Sequence, residues 1–195
     1  MEPLQDGFIP PHGGYRKLLS YQKSEIILDG TVYFCDRFFS PRNRYIDQMT
    51  QAARSGKQNI LEGSMASATS KQTEITLTNV ARSSLDELRK DYEDFLRKRK
   101  LPKWEKDHKL VKRLRELNRT PGASYETFRK AIENPDPEIC ANTMITLISI
   151  TMYLLGRQIS ALEKKFIEEG GIRERMLKAR LNYKNKIRNQ ENSPG

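Results

Sequence analysis

The chain is poor in the residues that build reactive sites. It has two cysteines and two histidines in 195 residues. Cys35 and Cys140 lie in apolar, helix-patterned surroundings and match no metal-ligand spacing, so both read as buried, reduced thiols of a cytoplasmic protein. Glu105 and His108 have the Glu-x-x-His spacing of di-iron bundles, but such a site needs two of these pairs plus two further glutamates. One pair among Lys103, Lys106 and Lys109 predicts no metal. There is no glycine-rich phosphate loop, nucleophile elbow or Cys/His pair. The expectation is therefore no enzyme, no cofactor and no small-molecule substrate.

Long apolar runs are also missing. The longest, Met144 to Leu155, is interrupted by Thr146, Ser149 and Thr151, and a membrane span needs roughly 20 apolar residues. No membrane segment is expected. Residues Met1 to Gly14 are polar and Pro/Gly-rich, without the basic start and apolar core of a signal peptide, and read as a flexible arm.

What is abundant is charge, at 31% of residues with a formal net of +10. Its placement is uneven. Arg97 to Arg119 holds eleven Lys/Arg against three Asp/Glu, and Gly171 to Gly195 holds seven against two. The remainder holds seventeen against twenty. Segregated positive charge of this kind is either the footprint of a polyanion partner or a solvated, solubilising surface.

Apolar spacing predicts an all-α fold. Ile46, Met49, Ala53, Gly56, Ile60 and Gly63 recur at gaps of three and four, so they share one helical face. Three of them are small, and glycine inside a helix costs about 1 kcal/mol relative to alanine, which suggests that another backbone comes close. Leu77, Ala81, Ser84, Leu88, Tyr92 and Phe95 repeat the pattern, and the two stretches read as an antiparallel hairpin capped by Ser70. Ahead of it, Ile27, Thr31, Phe34 and Phe38, flanked by Leu28, Val32, Cys35 and Phe39, mark a first helix. Gly30 interrupts that face and marks a close contact or a slight bend. A fourth long helix carries Ile145, Ile148, Met152, Leu155, Ile159, Leu162 and Phe166, with Leu147, Ile150 and Leu154 beside them. Its β-branched content favours a strand, but its sustained repeat favours a helix. A helix apolar on several sides is covered on several sides, here by the preceding insertion or by another subunit.

The reading is an antiparallel up-down four-helix bundle with long helices over 15–39, 44–69, 71–99 and 137–169. A basic helical insertion occupies 101–135, and a suffix helix with a disordered tail occupies 170–195. Within the insertion, helices are predicted over Trp104 to Leu117 and Ser124 to Asn134. The suffix helix is predicted from Ile172 to about Arg188, and Asn189 to Gly195 is the expected tail.

The segment Gln51 to Ser64, ending in Asn59-Ile60-Leu61-Glu62-Gly63-Ser64, is followed by Thr78 to Leu88 with Ala81, Ser84, Leu85, Glu87 and Leu88. Together they resemble the bacterial "four helix bundle protein" family, which includes proteins encoded in intervening sequences of 23S ribosomal RNA genes. The opening Gly14 to Lys23 and the C-terminal extension resemble its subgroup with a suffix domain. The resemblance implies a helical bundle that assembles into homo-oligomers, and a related branch is a basic accessory protein of diversity-generating retroelements that binds a reverse transcriptase and RNA.

Two functional expectations follow. The first is RNA or DNA binding, RNA favoured, with phosphate contacts from Arg97, Lys98, Arg99, Lys100, Lys112, Arg113 and Arg115, and a second patch of Arg173, Arg175, Lys178 and Arg180. The second is a protein-interaction scaffold without a nucleic-acid role. The signature residues Gly56, Asn59, Glu62 and Gly63 read as structural. Asn59 and Glu62 are expected as a partly buried amide and carboxylate, bonded to backbone or arginine; a polar site with Arg54 or Lys57 is the alternative. Trp104 is expected to anchor the insertion, with stacking on a base as the alternative.

Overall fold

Capping side chains and prolines divide the chain into helices. Asn43 Oδ1 accepts from Tyr45 N–H at 3.0 Å, Ser70 Oγ from Thr73 N–H at 3.1 Å, and Asp136 Oδ1 from Glu138 N–H at 2.8 Å. Each satisfies a donor that the first turn leaves free, and Pro137 occupies a position where its missing N–H is harmless. The computed structural model describes residues 14–191, so residues 1–13 of the arm expected over 1–14 lie outside the described residues, as do the last four residues, while Gly14 opens a 3-10 turn. All regular elements among the described residues are helical. A 3-10 turn over Gly14–Lys17 precedes α1 (Leu19–Phe38), α2 (Arg44–Ala66) and α3 (Lys71–Lys98). The insertion carries α4 (Lys109–Asn118) and α5 (Tyr125–Ile132), followed by α6 (Pro137–Glu169) and α7 (Ile172–Glu191).

Several expected boundaries are corrected. Residues 15–18 are not part of α1, because Leu18 is extended and its N–H closes a turn on Tyr15 O at 2.9 Å. The second helix stops at Ala66 rather than at residue 69, where the hydroxyls of Ser67 and Thr69 donate to the carbonyls of Ser64 and Ala66. In the insertion, α4 starts at Lys109 instead of Trp104. The suffix helix continues to Glu191, so residues 189–191 of the expected disordered tail are helical.

Helices α1, α2, α3 and α6 enclose one core: α2 packs on α1 and α3, and α6 packs on α1 and α3. Phe34 is fully buried, with the Tyr92 and Phe95 rings each 4.7 Å away. The buried Tyr92 hydroxyl donates to Thr31 Oγ1 at 3.1 Å, and Thr31 in turn donates to Ile27 O at 2.7 Å, so no polar atom of the pair is stranded. Between α2 and α3 the small residues sit where expected. A Cβ on Gly56 would lie 2.8 Å from Leu85 Cδ2, and one on Gly63 would lie 3.4 Å from Glu74 O. Gly30 also marks a close contact, since a Cβ there would lie 2.7 Å from Met144 Sδ. Val32, by contrast, is 41% exposed, although Cys35 in the same row is buried in the core.

All nine residues from Cys140 to Ile148 are buried. One side of this stretch meets α1 and α3, and the other meets α4 and α5. The insertion, rather than a second subunit, therefore covers the outer side of α6 here. An 18-residue window within 137–185 is long and apolar enough to cross a membrane, with mean hydropathy 1.6, which corrects the expectation that nothing approaches a span. The residues counted as interruptions do not break the helix. Thr146, Ser149 and Thr151 donate their hydroxyls to the carbonyls of Asn142, Ile145 and Leu147. Of that window, 61% is buried inside the fold, as expected of a core helix.

Helix α6 ends at Gly170, whose φ of 71° favours glycine, and Glu174 accepts from Gly171 N–H at 2.8 Å to start α7. No described side chain of α7 is buried.

The seam predicts a contrast between two glycines. Gly56→Leu destabilises the fold by about 1–3 kcal/mol through overpacking against Leu85. Gly156→Ala, where a Cβ meets nothing within 4 Å, stabilises it by up to about 1 kcal/mol. Urea titrations of both variants measure this; an unchanged midpoint for Gly56→Leu overturns the seam.

Both cysteines are free and buried, and burial pushes each thiol up from 9.0 to about 12. The folded value is the higher one, so their contribution to stability is full below about pH 9 and is lost as pH rises toward about 12. At pH 8 neither thiol reacts with a disulfide reagent in the native protein, and both react in concentrated guanidinium. Rapid native labelling contradicts this burial.

Candidate nucleic-acid and partner interface

The first cationic run lies at the C-terminus of α3. Lys100 takes a left-handed φ of 56°, Leu101 N–H donates to Leu96 O at 2.9 Å and Lys100 N–H to Arg97 O at 3.2 Å. This closes the helix without a glycine. Arg97 pairs with Asp94 at 2.9 Å, and that hydrogen bond holds the Asp94 carboxyl below its ordinary value. Lys98 donates to the Tyr45 hydroxyl and sits 4.3 Å from the centre of that ring. Arg99 donates to Phe38 O at 2.8 Å and lies 4.3 Å over the Phe95 ring. All four side chains are exposed, yet two strap the end of α3 to α1 and α2. Only Lys100 has no recorded partner among the described residues.

Helix α4 divides its cations between two directions. Lys112 and Arg113 are exposed, and Arg113 pairs with Glu116 at 3.4 Å. Arg115 is half-buried and donates to Lys106 O at 3.4 Å. On α7, Arg173, Lys178 and Arg180 are exposed and Arg175 is partly covered. The three groups of predicted residues therefore occupy three different helices.

The insertion is fixed to α6 by Asn142, which is 2% exposed. Its Oδ1 accepts from Trp104 N–H at 2.8 Å, and its Nδ2 donates to Pro102 O and Glu138 O, each at 3.0 Å. The Trp104 indole donates to Glu138 Oε1 at 2.8 Å and stacks on His108 at 4.4 Å between ring centres. Trp104 is thus the anchor of the insertion. Because the loop ending at His108 is held by α6, α4 starts only after it. On the far side, Lys23, 5% exposed, donates to Ala123 O at 3.0 Å and ties α1 to the turn before α5. Burial lowers its ammonium from the ordinary value.

The signature residues serve the α2–α3 seam. Asn59 donates to Ser55 O at 2.8 Å, and the Ser55 hydroxyl lies 3.0 Å from that of Ser84. Glu62 is corrected: it is exposed and accepts from Gln58 Nε2 at 3.0 Å. The carboxylate buried at this end of the hairpin is Glu74, bonded to Lys71 at 3.0 Å. Arg54 is exposed, and Lys57 pairs with Glu25 at 3.3 Å, so neither partners Asn59 or Glu62. Among the described residues, no three His, Cys, Asp or Glu side chains gather in a metal-binding group.

The sequence does not reveal a groove of about 710 Å³ between the end of α3, the loop after it, α4 and α6. Arg115 lines it together with Lys103, Lys106 and Arg119 of the same basic run, none of them among the expected phosphate contacts, and with Arg89, which lies outside that run. The available signal was the unpaired apolar row Ile150 and Leu154 on α6. No family model matches the chain, and neither does any curated protein or solved structure.

Truncating the insertion's fixing point tests its role. Asn142→Ala leaves Trp104 N–H and the Pro102 carbonyl without partners at a cost of about 1–3 kcal/mol. Amide exchange should quicken over 101–108 while the α2–α3 hairpin stays protected. Uniform acceleration everywhere overturns a local latch.

Proposed function

We propose that this chain is a non-enzymatic, homo-oligomeric protein of the cytoplasm that binds nucleic acid, RNA in preference to DNA, through its appended basic segments. The observation that carries the reading is α7. Residues 172–191 hold seven Lys/Arg against two Asp/Glu, and no described side chain there is committed to the core. Lys100, Lys112 and Arg113 add exposed charge outside a bundle that is near neutral. Contacts of this kind go to phosphates, are weakly sequence-specific and weaken steeply with salt.

We further infer an antiparallel up-down four-helix bundle related to the four helix bundle protein family. Paired residues support the arrangement: Gly63 meets Leu77, Gly56 meets Leu85 and Tyr45 meets Lys98, so positions fall along α2 as they rise along α3. Ser20 bonded to Gln158, with Gly30 facing Met144, gives the same sense for α1 and α6. The resemblance rests on the segments ending at Ser64 and Leu88.

A scaffold role is the second reading. It is favoured by exposed Met176, Leu177, Leu181 and Tyr183 on α7, which offer apolar surface to a protein partner or a second copy.

Labelled structured RNA and duplex DNA titrated at several salt concentrations separate the readings. RNA should bind more tightly than duplex DNA. Replacing Lys112 and Arg113 with Glu should lower the salt slope by about 2 and weaken binding at low salt. Binding equal to the parent for that variant, or no binding at low salt, overturns the nucleic-acid reading.

A further inference from the structure

The insertion covers only part of the outer side of α6. Cys140 to Ile148 lies beneath it, but the next two turns do not. Tyr153 is 64% exposed, and Ile150 and Leu154 are half-buried. With Ile145, Thr146 and Ser149 they form the floor of the groove, two adjacent rows at i, i+4 and i+8. The floor runs about 14 Å along α6. Thr146 lies beside Ile145 at its N-terminal end and Ser149 beside Ile150 in its middle, so a small hydroxyl residue neighbours an apolar one at both levels.

The walls are cationic. Lys103, Lys106, Arg115 and Arg119 come from the loop and α4, and Arg89 comes from α3. Glu93 accepts from Arg89 at 3.2 Å and from Lys103 at 3.1 Å, and Arg89 is also paired with Asp86 at 2.5 Å, so the wall charge outside an ion pair among the described residues is that of Lys106, Arg115 and Arg119. Glu105 is the other acid of the lining. Asn118 also lines the groove, and its buried side-chain oxygen has no partner among the described residues.

We propose that this groove is a docking site for an acidic amphipathic helix of a partner protein. Its apolar stripe lies on Ile150, Tyr153 and Leu154, and its carboxylates meet Lys106, Arg115 and Arg119. The shape is that of helix-in-groove recognition, in which a linear apolar floor reads residues at i, i+3, i+4 and i+7. Charge selects the occupant. The chain's own α7, or that of a second copy, carries excess positive charge and is repelled by the walls. A nucleic-acid strand would satisfy the walls but leave the apolar floor uncovered. The site is separate from the phosphate surface proposed on α7 and on the outer face of α4.

The test uses the full chain and a labelled synthetic helix of about 15 residues, with Leu at i, i+3, i+4 and i+7 and Glu on the remaining faces. A companion peptide carries Lys in place of each Glu. The acidic peptide should bind about tenfold or more tightly than its companion, the factor that 1.4 kcal/mol of electrostatic preference provides. Lys106→Glu combined with Arg119→Glu, and separately Tyr153→Glu, should each lower its affinity about tenfold. All three side chains are exposed, and unchanged melting of the variants confirms that the fold is kept. Lys178→Glu with Arg180→Glu on α7 should leave it unaltered. Equal binding of the two peptides, indifference to the Tyr153 and wall variants, or no binding overturns the proposal. So does competitive displacement by structured RNA that depends on Tyr153, which would assign the groove to nucleic acid. Dissociation of a dimer by Tyr153→Glu would assign it to a second copy and equally overturn the proposal.

Discussion

A stretch of helix buried all the way round has to be enclosed from every side. Cys140 to Ile148 imposes that requirement on the rest of the molecule. Helices α1 and α3 close one flank of α6. The other flank needs material that a simple bundle lacks, and the chain supplies it between α3 and α6. Phe128 and Ile132 of α5, with Val111 and Leu114 of α4, bring the apolar surface. Asn142 brings the specificity. A buried amide that bonds two loop residues admits one register of loop on helix, because a shifted register would strand its donors and acceptor. The position of α4, and with it the groove, follows from this single side chain.

The same geometry redistributes the positive charge. Along the chain, residues 97–119 look like one basic block. In space they separate by the job each helix end demands. A helix C-terminus carries partial negative charge and free carbonyls, and Lys98 and Arg99 serve that end of α3 while reaching the aromatic rings and carbonyl of the neighbouring helices. Arg115 turns inward over the loop carbonyl. Of the exposed remainder, Lys103, Lys106 and Arg119 line the groove, and Lys100, Lys109, Lys112 and Arg113 do not.

Most of the fold was legible because its determinants are local. Asp136 and Pro137 at one end and Gly170 and Gly171 at the other fix α6, and both bounds match the sequence reading. The α2–α3 seam was legible because gaps of three and four place Met49, Ala53, Gly56, Ile60 and Gly63 on one face whatever lies opposite. The start of α4 was not, since Trp104 is held by Asn142, 38 residues away. Glu62 was misplaced by giving its motif more weight than its position. It lies about 100° around the helix from Gly63 and about 200° from Ile60, which points it to solvent. The groove was illegible because its walls come from segments that no spacing rule connects. Of the candidate cations, the sequence located the residues but not the partners that already hold Arg97, Lys98 and Arg99.

Gly170 has a mechanical consequence. A helix of 20 residues is about 30 Å long, and α7 leaves the bundle through two glycines with none of its described side chains anchored below. The torsions of that joint aim a lever. A change of about 20° at the pivot displaces the far end by about 10 Å over that length. Arg173 and Arg175, in the first turn of α7, lie close to that pivot, whereas Lys184 and Arg188 lie far enough along it that the joint's torsions decide where their charge is presented.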